Sequence, residues 1–144
     1  MEPKIISGGV AFDDRGSLRF VNDFNFEGVQ RFYQVENHRQ GFIRAWHGHK
    51  KEGKYVYVAH GSIILGAVPL KIDDTLDITL GKKCILSSQL PKVVFIPPNY
   101  ANGFKNLEND TIVMFFSTSS LEESKNDDIR YPYDTWNIWN EDFR

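Results

Sequence analysis

The sequence predicts an all-β domain, a sandwich, barrel or jelly roll, on three observations. Helical periodicity is nearly absent, short runs rich in β-branched and aromatic residues recur, and turn-forming residues separate them at regular spacing. In chain order, strands are expected over residues 17–21, 30–35, 42–49, 54–59, 62–68, 76–80, 83–86, 93–96 and 111–117. The punctuation between them is Glu27-Gly28, residues 37–41, His60-Gly61, Asp73-Asp74, residues 97–99 and residues 108–110. Residues 119–125 are the one stretch suited to a short helix. The segment 126–144 carries Tyr131, Tyr133, Trp136 and Trp139. It is expected to pack over the barrel as a tail, because disordered tails are poor in aromatics.

Composition narrows the class. A chain of 144 residues with 41% hydrophobic residues can bury one core, so residues 1–144 are expected to form one domain. Seventeen Lys and Arg against 19 Asp and Glu leave a net charge of -2, which argues against a nucleic-acid partner. The lone Cys84 excludes an internal disulfide and a cysteine-rich zinc site. The longest apolar run, around residues 93–96, is too short to enter a membrane as a helix. No basic stretch followed by an apolar one opens the chain, so a cytoplasmic protein is expected.

The most informative pattern begins at Gly41. Five residues follow, then His47-Gly48-His49, four more, Lys54, six more, and Gly61. A second cluster, Pro97-Pro98-Asn99-Tyr100-Ala101-Asn102 with Asn106 beyond it, lies downstream. Together these resemble the two motifs of the cupin superfamily. The resemblance implies a double-stranded β-helix, the jelly-roll barrel, which strand spacing alone does not choose over other β folds.

In metal-binding cupins the Lys54 slot holds a Glu and the Asn102 slot a His. Here a cation replaces the carboxylate, and a protonated Lys54 repels a divalent ion and cannot coordinate it. Two remaining imidazoles fall short of the roughly three protein ligands of a catalytic site. No metal is therefore expected; the alternative keeps one on His47, His49 and a carboxylate elsewhere. On a strand His47 and His49 point the same way. A neutral imidazole is a suitable base near pH 7, and an ammonium stabilises a developing oxyanion. The pair suits abstraction of a proton α to a carbonyl, with no redox cofactor.

A longer set of residues runs Phe12-Asp13-Asp14-Arg15-Gly16, Phe32-Tyr33-Gln34, Asn37-His38, residues 41–47, Lys54, Gly61, Leu86-Ser87, Ile96-Pro97 and residues 101–104. In this order it resembles the dTDP-4-dehydrorhamnose 3,5-epimerase family. The resemblance implies a nucleotide-diphosphate sugar substrate, His47 as the base, Lys54 beside the enolate and Arg44 on the diphosphate or sugar. It implies that Phe12 and Arg15 serve a neighbouring subunit's nucleotide site, hence a homodimer, and it adds Gln34, Asn37 and Asn102 as substrate-binding candidates. Arg44 and His47 have opposite strand parity, so a bulge, a strand end or arginine's length must bring them to one side.

Three departures stand out. Asn102 replaces the family's second His, Phe115 falls where its tyrosine acid is expected, and the Asp partner of the base has no evident counterpart. Asp127 and Asp128 read as solvated. The acid then comes from Tyr33, Tyr131 or Tyr133, or the reaction uses one face of the sugar. The segment His47-Gly48-His49-Lys50 also resembles the dTDP-4-keto-6-deoxyglucose 3,4-ketoisomerases, in which reading His49 shuttles the proton and Tyr33 assists. A catalytically silent cupin that binds a sugar nucleotide is the third reading. His38 and His60, in turn-like sequence, are surface residues in all three.

Overall fold

Alternation of apolar and polar side chains sets two antiparallel sheets face to face, in a computed structural model that describes residues 1–144. The elements are β1 (Lys4–Ser7), β2 (Gly9–Asp13), β3 (Gly16–Phe20), β4 (Arg31–Glu36), β5 (Ile43–His49), β6 (Lys54–His60) and β7 (Ser62–Pro69). After them come β8 (Lys82–Ser87), β9 (Lys92–Ile96), β10 (Tyr100–Asn106), β11 (Ile112–Ser117), α1 (Leu121–Lys125) and β12 (Ile129–Arg130). One sheet has the order β1-β9-β6-β11-β4 and the other β12-β5-β10-β7-β8; β2 and β3 form a separate hairpin. This is the jelly-roll barrel of the cupins. No helix is long and apolar enough to cross a membrane.

The core lies between the two sheets. Val56 and Val58 of β6, Val94 and Ile96 of β9, and Val113 and Phe115 of β11 meet Ile63, Leu65 and Ala67 of β7, Leu86 of β8 and Phe104 of β10. Period-two alternation puts these on the inner face, while Trp46, Val68 and Ala101 face outward beneath a second cluster. The tail covers that outer face. Trp136 and Trp139 pack on Trp46 at 5.3 and 5.1 Å between ring centres, and the Trp46 indole N–H donates to the carbonyls of Tyr133 and Trp136. The tail also pairs in the sheet, with Ile129 and Arg130 opposite Gly48 and His47.

Two expectations about elements fail. Residues 76–80 do not form a strand: Leu76 makes an isolated bridge with Leu70, and Ile78–Leu80 is a single 3-10 turn. Leu76 is apolar because it caps the outer cluster, while the Thr79 hydroxyl donating to the Asp77 carboxylate suits a turn. Conversely, the expected strands leave out residues 100–106, which form β10. Its two Asn and a Gly are poor strand formers, yet it pairs along both edges, with β5 and β7. Gly61, at φ 83°, makes the β6–β7 turn, where an added Cβ would lie 2.3 Å from the Thr111 hydroxyl.

Candidate active site

One end of the barrel interior opens into a cavity of about 270 Å³. Inward positions of four strands supply its chemistry: Arg31 and Tyr33 from β4, His47 and His49 from β5, Lys54 from β6 and Asn102 from β10. Arg44 joins them through a β-bulge. His47 pairs with Asn102 but Arg44 pairs with Phe104, so three steps along β5 match two along β10, and the parity conflict disappears. Gly103 makes room there, since an added Cβ would come 2.5 Å from that of Ala45.

Of the expected site residues, His47, His49, Lys54, Tyr33, Arg44 and Asn102 converge on this cavity. Four others do not reach it. Gln34 has the opposite parity to Tyr33, faces outward and donates to Glu36. Asn37 accepts from Arg44 Nε at 2.6 Å and donates to Asn106 at 3.0 Å, so it holds the arginine rather than lining the cavity. Phe12 and Arg15 lie on the β2–β3 hairpin; Phe12 is 76% exposed, and Arg15 pairs with its neighbour Asp13. Within one chain they are outside the cavity. Tyr131 and Tyr133 also lie away from it: the Tyr131 hydroxyl donates to the Asp74 carbonyl, and Tyr133 is half exposed on the outer face.

The two imidazoles differ. His47 is partly buried beside Arg130 and Lys54, and burial followed by these positive charges pushes its pKa down to about 4 against the opposing pull of Asp128. It is neutral at pH 7. His49 is 5% exposed, and burial, with Lys54 next, lowers its pKa as well. Its Nδ1 contacts the Asp127 carbonyl, which can only accept, so Nδ1 carries the proton and Nε2 a lone pair. Nε2 is buried without a partner.

Lys54 has its ammonium 5.7 Å from the Phe115 ring centre and 6.0 Å from that of Tyr33. Burial lowers its pKa and the nearby Glu52 opposes the shift. Tyr33 stacks on Phe115 at 5.1 Å with the Arg31 guanidinium 5.0 Å from its ring centre, and burial, reinforced by Glu52, pushes its phenol well above the usual range. Tyr33 therefore keeps its proton until a strong base takes it. No three His, Cys, Asp or Glu side chains lie close enough together to hold a metal ion.

Several residues of the site escaped sequence reasoning. Asp127 and Asp128 are not solvated bystanders: Asp127 accepts the backbone N–H groups of Lys50, Lys51 and Glu52 at 2.8–3.0 Å, and Asp128 lines the cavity next to His47, paired with Arg130 at 3.1 Å. Arg31, two residues before Tyr33 on the same face, was legible from parity alone. Arg130 and Lys125 come from the tail and the helix, where no local pattern announces them. Five Lys and Arg side chains thus face one carboxylate, Asp128, around the cavity, a setting made for an anion.

The family model described as dTDP-4-dehydrorhamnose 3,5-epimerase matches residues 4–141. Among solved structures, the chain is similar to the dTDP-4-dehydrorhamnose 3,5-epimerase from Sulfolobus tokodaii, at 26% identity over 94% of this chain and 81% of that one, TM-score 0.75. It also resembles a 3'-monoepimerase from Streptomyces bikiniensis in complex with dTDP (14% identity, 96% and 74% coverage, TM-score 0.78). A third likeness is to a 3,4-ketoisomerase from Helicobacter canadensis (21%, 98% and 99%, 0.70). No curated protein matches the sequence significantly. The family match along nearly the whole chain, on a barrel with this cavity, makes the protein an isomerase of the dTDP-4-dehydrorhamnose 3,5-epimerase family.

Proposed function

We propose that the protein is an epimerase of a nucleotide-linked 4-keto-6-deoxysugar, acting at C3, C5 or both without a metal or redox cofactor. The observation that carries this is the meeting of a neutral His47 with the Lys54 ammonium and the Tyr33 phenol in one cavity. His47 takes the proton α to the ketone. The C–H electron pair becomes the enolate, whose oxygen charge Lys54 stabilises. Reprotonation at carbon by Tyr33, from the other side, inverts the centre, and solvent returns the tyrosinate and imidazolium to their starting states. Tyr33 thus supplies the acid that Phe115 cannot, and Asp128 supplies the negative charge beside the base.

Arg31, Arg44, Lys125 and Arg130 suit the diphosphate, with the nucleoside across the mouth, since the cavity is only large enough for the sugar end. The exposed hairpin bearing Phe12 and Arg15 supports a homodimer in which each hairpin serves the other subunit's nucleotide site. The test is NMR in heavy water with dTDP-, GDP- and CDP-linked 4-keto-6-deoxysugars. Deuterium should enter C3 or C5, and His47→Ala should lose the exchange. No exchange with any of these sugars overturns the epimerase; tight binding without turnover would indicate a silent binder.

One observation favours a second reading. The bare Nε2 of His49 gives the site two aligned bases, as a 3,4-ketoisomerase needs to pass a proton between neighbouring carbons. A product with a moved carbonyl, abolished by His49→Asn but not by His47→Asn, would select it.

A further inference from the structure

Between His49 and Lys54 the chain turns through residues 50–53, and one side chain of that turn points into the protein. Glu52 has no exposed side-chain surface, yet it carries a carboxylate. Its backbone is clamped: the Glu52 N–H donates to Asp127 at 3.0 Å, and Gly53 exchanges hydrogen bonds with Thr118 at 2.8–3.2 Å. The carboxylate accepts the Ser117 hydroxyl of β11 at 3.0 Å and that of Ser124 in α1. Three nitrogens of the cavity wall surround it: His49 Nδ1 at 3.7 Å, Lys54 Nζ at 3.9 Å and an Arg31 guanidinium nitrogen at 4.0 Å. A buried carboxylate is costly unless hydrogen bonds and opposite charges offset it, and here the two hydroxyls, Lys54 and Arg31 do so.

We propose that Glu52 is a positioning residue, a fixed buried anion that holds Lys54 as an ammonium and ties α1 to the cavity wall. The proposal rests on the isomerase mechanism above for its consequence, but not for its physical content. Glu52 is the anion nearest Lys54. Facing Lys54 are the rings of Tyr33 and Phe115, Arg31 from β4, His47 and His49 from β5, and the Asp128–Arg130 pair from the tail, whose charges oppose each other. Removing the Glu52 charge leaves Lys54 with desolvation and like charges, and the proton leaves at lower pH. His49 also loses the neighbouring negative charge that favours its protonated form, and becomes a weaker base.

The experiment titrates the Lys54 side-chain amine by nitrogen-15 NMR in the unliganded protein, wild type and Glu52→Gln, and follows turnover against pH in parallel. In the wild type Lys54 should remain ammonium at pH 8. In E52Q its midpoint should fall by about one pH unit or more, as expected when a paired charge is removed. The alkaline limb of kcat should move with it, so that the deficit of E52Q is about tenfold or more at high pH and shrinks as pH is lowered, while KM changes little. Glu52→Asp, which keeps the charge, should restore most of the midpoint. A neutral Lys54 at pH 7 in the wild type, readable even if E52Q does not fold, overturns the proposal. So does an unchanged midpoint in folded E52Q. If no sugar is turned over, the isomerase reading fails on its own and the amine titration still decides the role of Glu52.

Discussion

The two ends of the barrel interior are built from the same strands and obey opposite chemistry. On β6 the inner face reads Lys54, Val56, Val58; on β11 it reads Ser117, Phe115, Val113. At one end Val56, Val58, Ile63, Leu65 and Val113 are at most 2% exposed and pack in one apolar cluster. At the other, Lys54, one pair further along β6, is 7% exposed and has the buried His49 and Glu52 and the partly buried His47 around it. Each well-buried apolar side chain stabilises the fold by roughly 1.5–3 kcal/mol. Each sheltered ion costs several kcal/mol before its partners offset it. The dry end makes it thermodynamically tolerable to hold a cation and neutral bases out of water at the wet end.

The contrast can be broken most sharply by exchanging the two kinds of loss. Lys54→Met should lower kcat on the accepted sugar by about 10²–10³-fold, as the loss of one oxyanion stabiliser does elsewhere, while near-ultraviolet circular dichroism stays native. A variant retaining more than a tenth of the wild-type kcat would remove Lys54 from the chemistry. Leu65→Ala, at the dry end, should do the reverse: a loss of about 2–5 kcal/mol in urea unfolding, with kcat per folded molecule unchanged. A large kcat effect in that variant would mean the two ends are not separable.

Acid sharpens the comparison further. His47 titrates at about 4 when folded, below its ordinary 6.5, so the unfolded chain takes up the proton first. Stability from this group is complete above about pH 6.5 and declines as pH falls toward 4. Against burial, which pushes them up, Asp127 and Asp128 are held below their ordinary value by the Lys50–Glu52 N–H groups and by Arg130, and lose their contribution in the same direction at lower pH. The urea midpoint should therefore drop between pH 6.5 and 4.5, and His47→Gln should flatten that slope. A wild-type midpoint independent of pH in this window would contradict a buried neutral His47. The smallest effect belongs to Gln34→Ala: outward-facing, it should change stability by no more than about 0.5 kcal/mol and leave KM alone. A several-fold rise in KM would return Gln34 to the substrate.

Much of the fold was legible because most strands alternate cleanly, and the site's centre because His47, His49 and Lys54 lie close in sequence on consecutive strands of the two facing sheets. What stayed hidden depends on long-range pairing. Tyr100–Asn106 becomes a central strand because both neighbours need its backbone, not because Asn and Gly favour it. Asp128 and Arg130 enter the cavity only because β12 adds to the edge of β5, about 80 residues earlier in the chain. Gln34 was misread because Tyr33, beside it in the family pattern, faces the cavity, whereas period two turns Gln34 outward with Phe32. Glu52 was overlooked as a turn residue, although its place between the histidine and the lysine was visible.

The extra residue in β5 has an implication for how this site tolerates change. It works as a phase shift within a single strand: upstream of it one set of side chains points inward, downstream the complementary set, and Arg44 and His47 share the interior only because the shift lies between them. Point substitutions around it can be absorbed one at a time. A single-residue deletion there would carry Arg44 to the outer surface in one step, so the spacing of this stretch is under tighter constraint than its composition.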